Sequence, residues 1–444
     1  MNMFEKLRKE YKKFTYEKYD INETFSEIII TYYFNIDGKE KFNPTLKFSK
    51  SIIKNNNIDK DFFNYLVFHI GLIELISYWK CICPKEVEVS AGYIDHEQIE
   101  WFKKLYYYGL GEFFYTNKIN VSYDDFMHIS CTSKEKYTPN INYHGTGNLI
   151  PVGGGKDSVV TLELLKGMDN TTFIINPKSA MLECSKIAGY DNPIIVNRTI
   201  DKNLIRLNKE GYLNGHTPFS SLVAFITYFI SYLSNKKYIV LSNESSANES
   251  NVRGLKVNHQ YSKSFEFEND FNLYTKKYFN IDIKYFSFLR PLYEIQIARL
   301  FSKYEKYHKA FKSCNVGSKS SEWHWCLNCP KCLFVYIILS PFLYKDKLIN
   351  IFGADLYENK DLLNTFIDLT GNSDNKPFEC VGTYDEVNLA LSLTIKKIDG
   401  ELPYLLKYYK DNYKLVNYNL LNNYNLENNL DEEFDRILRD NYDK

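Results

Sequence analysis

Residues 149–165 read "LIPVGGGKDSVVTLELL": an apolar run, three consecutive glycines, then Lys-Asp-Ser leading into a second apolar run. Their order predicts a buried strand, a tight turn and a helix. Gly153, Gly154 and Gly155 permit backbone angles closed to other residues and let main-chain N–H groups approach an anion. A helix N-terminus at that point favours negative charge. Ser158 offers a hydroxyl donor, Lys156 a countercharge and Asp157 a carboxylate for a metal ion. The lysine follows the glycines too soon for a Walker-type loop, and the glycines lack the dinucleotide-binding spacing.

Outward from this loop, strands and helices alternate. "TTFIINP", "NPIIVNR" and "KKYIVLSNES" read as short buried strands, and "PFSSLVAFITYFISYL" and "YEIQIARLFSKY" as helices. That alternation predicts an α/β fold with a doubly wound, mostly parallel sheet, in which ligands sit beyond the carboxyl ends of the strands. Before it, residues 1–143 read as a smaller α+β domain. "SEIIITYYFNIDGKEKFNPTLKF" is a hairpin turning at Asp37-Gly38, and a helix starts at Asp95. The polar stretch "CTSKEKYTPNINYHGTGN" marks the boundary, leaving 144–444 as the catalytic domain with a helical C-terminal extension.

The chain has 444 residues, with 55 basic and 55 acidic side chains and zero formal charge. No global field gathers a polyanion, so nucleic acid is not an expected partner. The opening residues have no apolar signal segment. The longest apolar helical candidate, residues 218–233, falls short of the ~20 residues that span a bilayer and reads as a core helix. A cytoplasmic protein without membrane contact is expected, its cysteines reduced.

Four of the nine cysteines crowd into "SCNVGSKSSEWHWCLNCPKCLF". Cys314, Cys326, Cys329 and Cys332 can supply four thiolates to a structural Zn2+, with His324 an alternative ligand. Buried, reduced thiols are the plain alternative.

Residues 239–268 form a long polar stretch without periodicity, which is uncommon in a compact domain unless functional. Asn243, Glu244, Asn248 and Glu249 are candidate substrate contacts, as is His216 in "GYLNGHTPFSS". His259 and Lys263 would share a face if helical; either is a candidate general base or carboxylate ligand.

The loop "GGGKDS" resembles the SGGxDS loop of the PP-loop ATP pyrophosphatase superfamily, with Gly153 in place of the first serine. That resemblance implies an adenine nucleotide alpha hydrolase-like fold and cleavage of ATP, with Mg2+, to AMP and diphosphate. By analogy of fold, adenine and ribose would lie at Asn176 and near Asn197. The cysteine cluster resembles the zinc site of 7-cyano-7-deazaguanine synthases, although its upstream spacing differs. Taken with "SNESSANESN", "VNHQYSKSFEFE", "WCLNCPKCLFVY" and "KPFECVGTYDE", and with "SYWKCICPKEVEVSAGYIDHEQIEWFKKLYYYGLGEFFYTN" upstream, the chain resembles the ATP-dependent UDP-N-acetylmuramoyl-L-alanyl-L-glutamate epimerases. The activity so implied is inversion of the terminal L-glutamate of a nucleotide-sugar dipeptide in peptidoglycan synthesis, through an acyl-adenylate. Asp157, His259 and Lys263 are then the catalytic candidates. The rival readings are another PP-loop adenylating enzyme (a 7-cyano-7-deazaguanine synthase-like ligase or a tRNA-thiolating enzyme) and a nucleotide-binding regulator without turnover. Oligomeric state and the role of residues 376–386, Cys380 among them, are not readable.

Overall fold

The computed structural model describes residues 2–248, 261–319, 324–373, 376, 377, 379 and 381–443. The fold is mixed α/β and built on a large sheet. Its strands are, in chain order, β1 (Lys13–Glu23), β2 (Glu27–Ile36), β3 (Glu40–Phe42), β4 (Thr45–Ser49), β5 (Glu86–Val89), β6 (His128–Cys131), β7 (Asn148–Pro151), β8 (Asn170–Ile175), β9 (Ile194–Thr199), β10 (Tyr238–Leu241) and β11 (Lys284–Ser287). The chain divides into two compact units. Met1–Leu149, Ile194–Ile239 and Val257–Tyr285 make the first, and Ile150–Pro193, Val240–Lys256 and Phe286–Lys444 the second. Each unit is discontinuous in sequence: the chain first passes to the second unit after Leu149 and returns to the first unit twice.

In the first unit, β2 buries Ile28, Ile30, Tyr32, Phe34 and Ile36 and leaves the alternate positions partly exposed. This is the period-two pattern of a strand with one covered face. The hairpin expected at Asp37-Gly38 forms, with φ of +51° and +71° and Ile36 paired to Glu40. The strands here are mixed in direction, as in an α+β region. β2 pairs antiparallel with β1, β3 and β4, and β4 antiparallel with β9, whereas β1–β5 and β5–β6 are parallel.

The helix Lys60–Trp79 packs on β1 and β2. The Tyr16 ring stacks 5.8 Å from Phe68, and the Tyr32 hydroxyl donates to the Val67 carbonyl at 3.3 Å. Asp59 caps this helix, accepting from the Phe62 N–H at 2.7 Å. Among the described residues this helix, not 218–233, is the longest apolar one, which corrects the earlier ranking. By length and composition it is able to cross a bilayer, yet 78% of its apolar window is buried inside the fold. The helix Phe219–Ser234 is buried on nearly every side, as a core helix should be.

In the second unit, the Val152 N–H donates to the Phe173 carbonyl of β8 at 2.9 Å. β10 and β7 pair in parallel through Tyr238–Asn148 and Ile239–Leu149, residues of the first unit. β11 advances with β10 in the same direction: the Lys284 N–H donates to the Lys237 carbonyl at 2.9 Å in the first unit and the Phe288 N–H to the Leu241 carbonyl at 2.8 Å in the second. Glycine turn and helix follow β7 as the sequence predicts, and the helix Glu294–Ser302 follows β11. The C-terminal extension is less helical than expected. Between the helices Tyr404–Asn412 and Glu432–Arg439 the chain is mostly irregular. From the helix Glu294–Ser302, Gln296 donates to the carbonyls of Leu421 (3.2 Å) and Asn423 (2.8 Å) in this stretch, and Arg299 to Leu421 (3.0 Å). Asn-rich segments have weak helix propensity, and here side chains satisfy backbone groups that a helix would otherwise pair.

Candidate active site

β7 delivers the chain into the glycine loop, and the helix Lys156–Leu164 leaves it. The three glycines have different reasons to be there. Gly154 has φ +75°, and a Cβ on it would lie 2.9 Å from the Met181 nitrogen and 3.0 Å from the Ala180 carbonyl carbon. A Cβ on Gly155 would lie 2.9 Å from Ser313 Oγ. Gly153 is exposed, and a Cβ there would meet nothing within 4 Å. A serine side chain would therefore fit at 153 without displacing a neighbour.

Gly155 is the N-cap of the helix, and no side chain caps it. The first-turn N–H groups of a helix have no partner within it, so an uncapped start favours an anion. Ser158 is 4% exposed, and its hydroxyl donates to the Gly155 carbonyl at 2.9 Å. The Lys312 N–H fixes the Gly154 carbonyl at 2.9 Å.

Lys156 points inward. It is 1% exposed, and its ammonium pairs with both Asp157 Oδ1 and Glu294 Oε2. Burial opposes the lysine's charge, but Asp157 and Glu294 outweigh it and hold Lys156 above the ordinary lysine range. Burial pushes the Glu294 carboxyl up to about 7; Lys156 works against that rise, while Asp157 and Glu244 add to it. One ammonium thus serves two carboxylates, leaving the trio one negative charge in excess when all are ionised, a setting that suits a divalent cation. Glu386 lies in the same charge field. It is fully buried, and burial, followed by the repulsion of Glu294, raises its carboxyl pKa.

The cysteine segment closes on itself. The sulfurs of Cys314, Cys326, Cys329 and Cys332 all lie within 4.8 Å of one another. Cys314 and Cys329 are 3.9 Å apart, and Cys326 and Cys332 3.8 Å. Tetrahedral zinc with Zn–S near ~2.3 Å requires sulfurs about 3.8 Å apart, so the four fit that ion without His324. Backbone N–H groups point at the sulfurs: Gly317 to Cys314 at 3.1 Å and Cys332 to Cys329 at 3.4 Å. Cys329 is also the N-cap of the helix Pro330–Leu339, with Pro330 at its first position. The eight described cysteines are all unbridged.

Of the other predicted residues, Asn243 and Glu244 lie just beyond β10 in the second unit. Asn243 donates to Ser287 Oγ at 3.1 Å, and the buried Arg290 donates to the Glu244 carbonyl at 2.9 Å. Asn248 ends a 3-10 turn, Ser245–Asn248. His216 and Lys263 belong to the first unit, where His216 Nδ1 is 3.5 Å from Glu112 Oε2. The polar stretch expected to run to residue 268 ends sooner: Ser264 caps the helix Phe265–Tyr278 by accepting from Phe267 N–H at 3.1 Å. Asn176, in the left-handed conformation at φ +47°, follows β8, while Asn197 lies within β9. His259, Glu249 and Cys380 fall outside the described residues. Sequence reading missed Glu294 and Glu386. The signal for the second was present, because Thr383 and Glu386 have the spacing of a capping box.

The MurL N-terminal domain model matches residues 5–288 and the MurL C-terminal domain model residues 310–415. Three curated proteins are similar, each named UDP-N-acetyl-alpha-D-muramoyl-L-alanyl-L-glutamate epimerase. The protein from Xanthomonas oryzae pv. oryzae is 32% identical over 340 residues, 74% of each chain. That from Micromonospora sp. is 30% identical over 390 residues, 86% of each chain. That from Salinispora tropica is 31% identical over 393 residues, 86% of this chain and 84% of its own. Both family models and relatives matched over most of their length lead to one assignment: the chain belongs to the MurL family.

Proposed function

We propose that this protein inverts the terminal L-glutamate of UDP-N-acetylmuramoyl-L-alanyl-L-glutamate, consuming ATP and releasing AMP and diphosphate. The shared name of the relatives supports the substrate and the inversion. The observation that carries the nucleotide part is the uncapped helix start behind Gly153–Gly155, with Asp157 beside it.

Coupling to ATP has a physical reason. Taking the α-proton from a carbon that bears an ionised carboxylate places a second negative charge beside the first. An oxygen of that carboxylate instead attacks the α-phosphorus of ATP, and diphosphate leaves toward the loop amides and Ser158. The resulting acyl-adenylate has no carboxylate charge and gives the carbanion a carbonyl to delocalise into, where fixed donors stabilise the enolate. A proton returns to the opposite face, and water attacks the acyl carbon to release AMP. Mg2+, when bound, neutralises charge on the departing diphosphate, and Asp157 is the residue that would hold it. Lys156 acts by steadying Asp157.

His259 and Lys263 remain the proposed proton-transferring groups, and His216, Asn243, Glu244, Asn248 and Glu249 the proposed substrate contacts. Zinc held by the four cysteines would have no open position and would serve structure. Recognition of the nucleotide-sugar falls to the N-terminal region, where a cavity of about 350 Å3 is walled by Tyr19, Tyr65, Tyr93 and Tyr137. Aromatic faces and polar edges of that kind suit sugar and base rings.

Incubating the protein with ATP and the L-glutamyl substrate should yield the D-glutamyl product, AMP and diphosphate in equal amounts. Epimerisation that proceeds without ATP, or ATP split only to ADP, would end this reading.

A further inference from the structure

The segment "KPFECVGTYDE" stands out in the sequence, yet nothing above gives it a task. In the structure its last residue, Glu386, is fully buried and binds three places at once. Its Oε2 accepts from the Thr383 N–H at 2.7 Å and the Thr383 hydroxyl at 2.9 Å, closing the capping box of its own helix, Tyr384–Lys397. The same oxygen accepts from the Ser246 hydroxyl at 2.7 Å, inside the "SNESSANESN" stretch. Its Oε1 accepts from the Ile295 N–H at 3.2 Å, in the first turn of the helix Glu294–Ser302. Ile295 follows Glu294, which holds Lys156 at the exit of the glycine loop. A Cβ at Gly382 would come within 2.9 Å of Glu386 Oε2, so the glycine keeps this place open.

A capping box asks the glutamate for one oxygen, accepting from the N-cap N–H. Glu386 spends its second oxygen, and a third donor on the first, on chain segments 91 and 140 residues away. Burying a carboxylate is costly, and four donors are what make it tolerable. An element needed only to start a helix has no reason to bear that cost at the meeting point of two candidate active-site segments.

We propose that Glu386 is a positioning residue that locks the "SNESS" turn and the Glu294 helix together, and through Glu294 and Lys156 fixes the glycine loop for nucleotide. This rests on the reading of that loop as an ATP site. The carboxylate touches neither substrate nor metal in this role; it sets where Glu294 and Ser246 stand. A glutamine at 386 has one oxygen and one amide N–H2, so it turns a donor against either the Ile295 N–H or the Thr383 N–H and disturbs the bond to Ser246.

The test compares Glu386→Gln, Ser246→Ala and Thr383→Ala. Thr383→Ala removes the local cap and the hydroxyl donor to Glu386, and leaves the bonds to Ser246 and Ile295 in place. Two readouts are needed: Mg2+-ATP binding by calorimetry without acid substrate, and hydrogen exchange of the amides at 153–158 in the free protein. Glu386→Gln should weaken Mg2+-ATP roughly tenfold, the worth of one charge-assisted hydrogen bond, and speed exchange across the glycine loop. Ser246→Ala should do both to a smaller extent, and Thr383→Ala should lower melting temperature while leaving both readouts near wild type. Unchanged loop exchange in Glu386→Gln, or in Ser246→Ala should the glutamine variant not fold, overturns the proposal. Equal effects of Thr383→Ala on the loop also overturn it, because they reduce Glu386 to a helix cap. If the wild-type protein binds no Mg2+-ATP, the nucleotide reading fails, while the exchange comparison still decides whether Glu386 controls the loop.

Discussion

Two helix starts in the second unit make opposite use of the same physics. The helix Pro330–Leu339 begins at Cys329, whose sulfur accepts from the Cys332 N–H, and all four cysteines face one another. The helix Lys156–Leu164 begins at Gly155, with no side-chain capping hydrogen bond, and its lysine is turned inward onto Glu294. One terminus is filled by the chain's own atoms and is closed to further ligands. The other is kept bare. A helix start capped from within is a structural device, and one held open by glycine favours an anion at its backbone amides.

The sharpest way to break this contrast is to disable the open end. Asp157→Ala should lower diphosphate release from ATP by on the order of 10²–10³-fold while the protein stays folded, Glu294 still pairing the buried Lys156. A variant that releases diphosphate at the wild-type rate would remove the loop from the chemistry. Disabling the closed end should do the reverse. Cys332→Ser, or prolonged chelation, should strip about one zinc per chain and cost more than about 4 kcal/mol of stability, read by elemental analysis and denaturant unfolding. Full stability without metal would make the cluster four buried thiols and nothing more.

Smaller changes separate the glycines. Gly154→Ala combines a left-handed φ with a contact to Met181 backbone, and should cost about 1–2 kcal/mol or more and impair nucleotide binding. Gly153→Ser enters open space and should change stability by less than about 0.5 kcal/mol. It adds a hydroxyl to the loop, so diphosphate affinity should hold or improve in a competition assay. Equal damage from both substitutions would mean that the loop's shape, not its open face, is what the glycines protect.

How much of this was legible beforehand follows from how local each feature is. Strand, glycine turn and helix at 149–165 are set by neighbours in the chain, and so is the cysteine spacing after 325. The Asp37-Gly38 hairpin likewise follows from two residues able to adopt positive φ. The pairing of β4 with β9, Thr45 opposite Thr199, was not readable, because nothing near either strand names its partner. Lys156 illustrates the limit best. A lysine at a helix start can face a ligand or the core, and the residue that decides, Glu294, lies 138 positions away. For Glu386 the capping box was legible, whereas its bonds to Ser246 and Ile295 depend on segments brought together only by the fold.

The most direct measurement of the central claim uses substrate labelled with 18O in the α-carboxylate of its terminal glutamate. If that carboxylate attacks ATP at the open loop, and water then attacks the acyl carbon, the AMP formed must contain one 18O while the D-glutamyl product retains the other. Unlabelled AMP, or ADP in its place, would contradict the account.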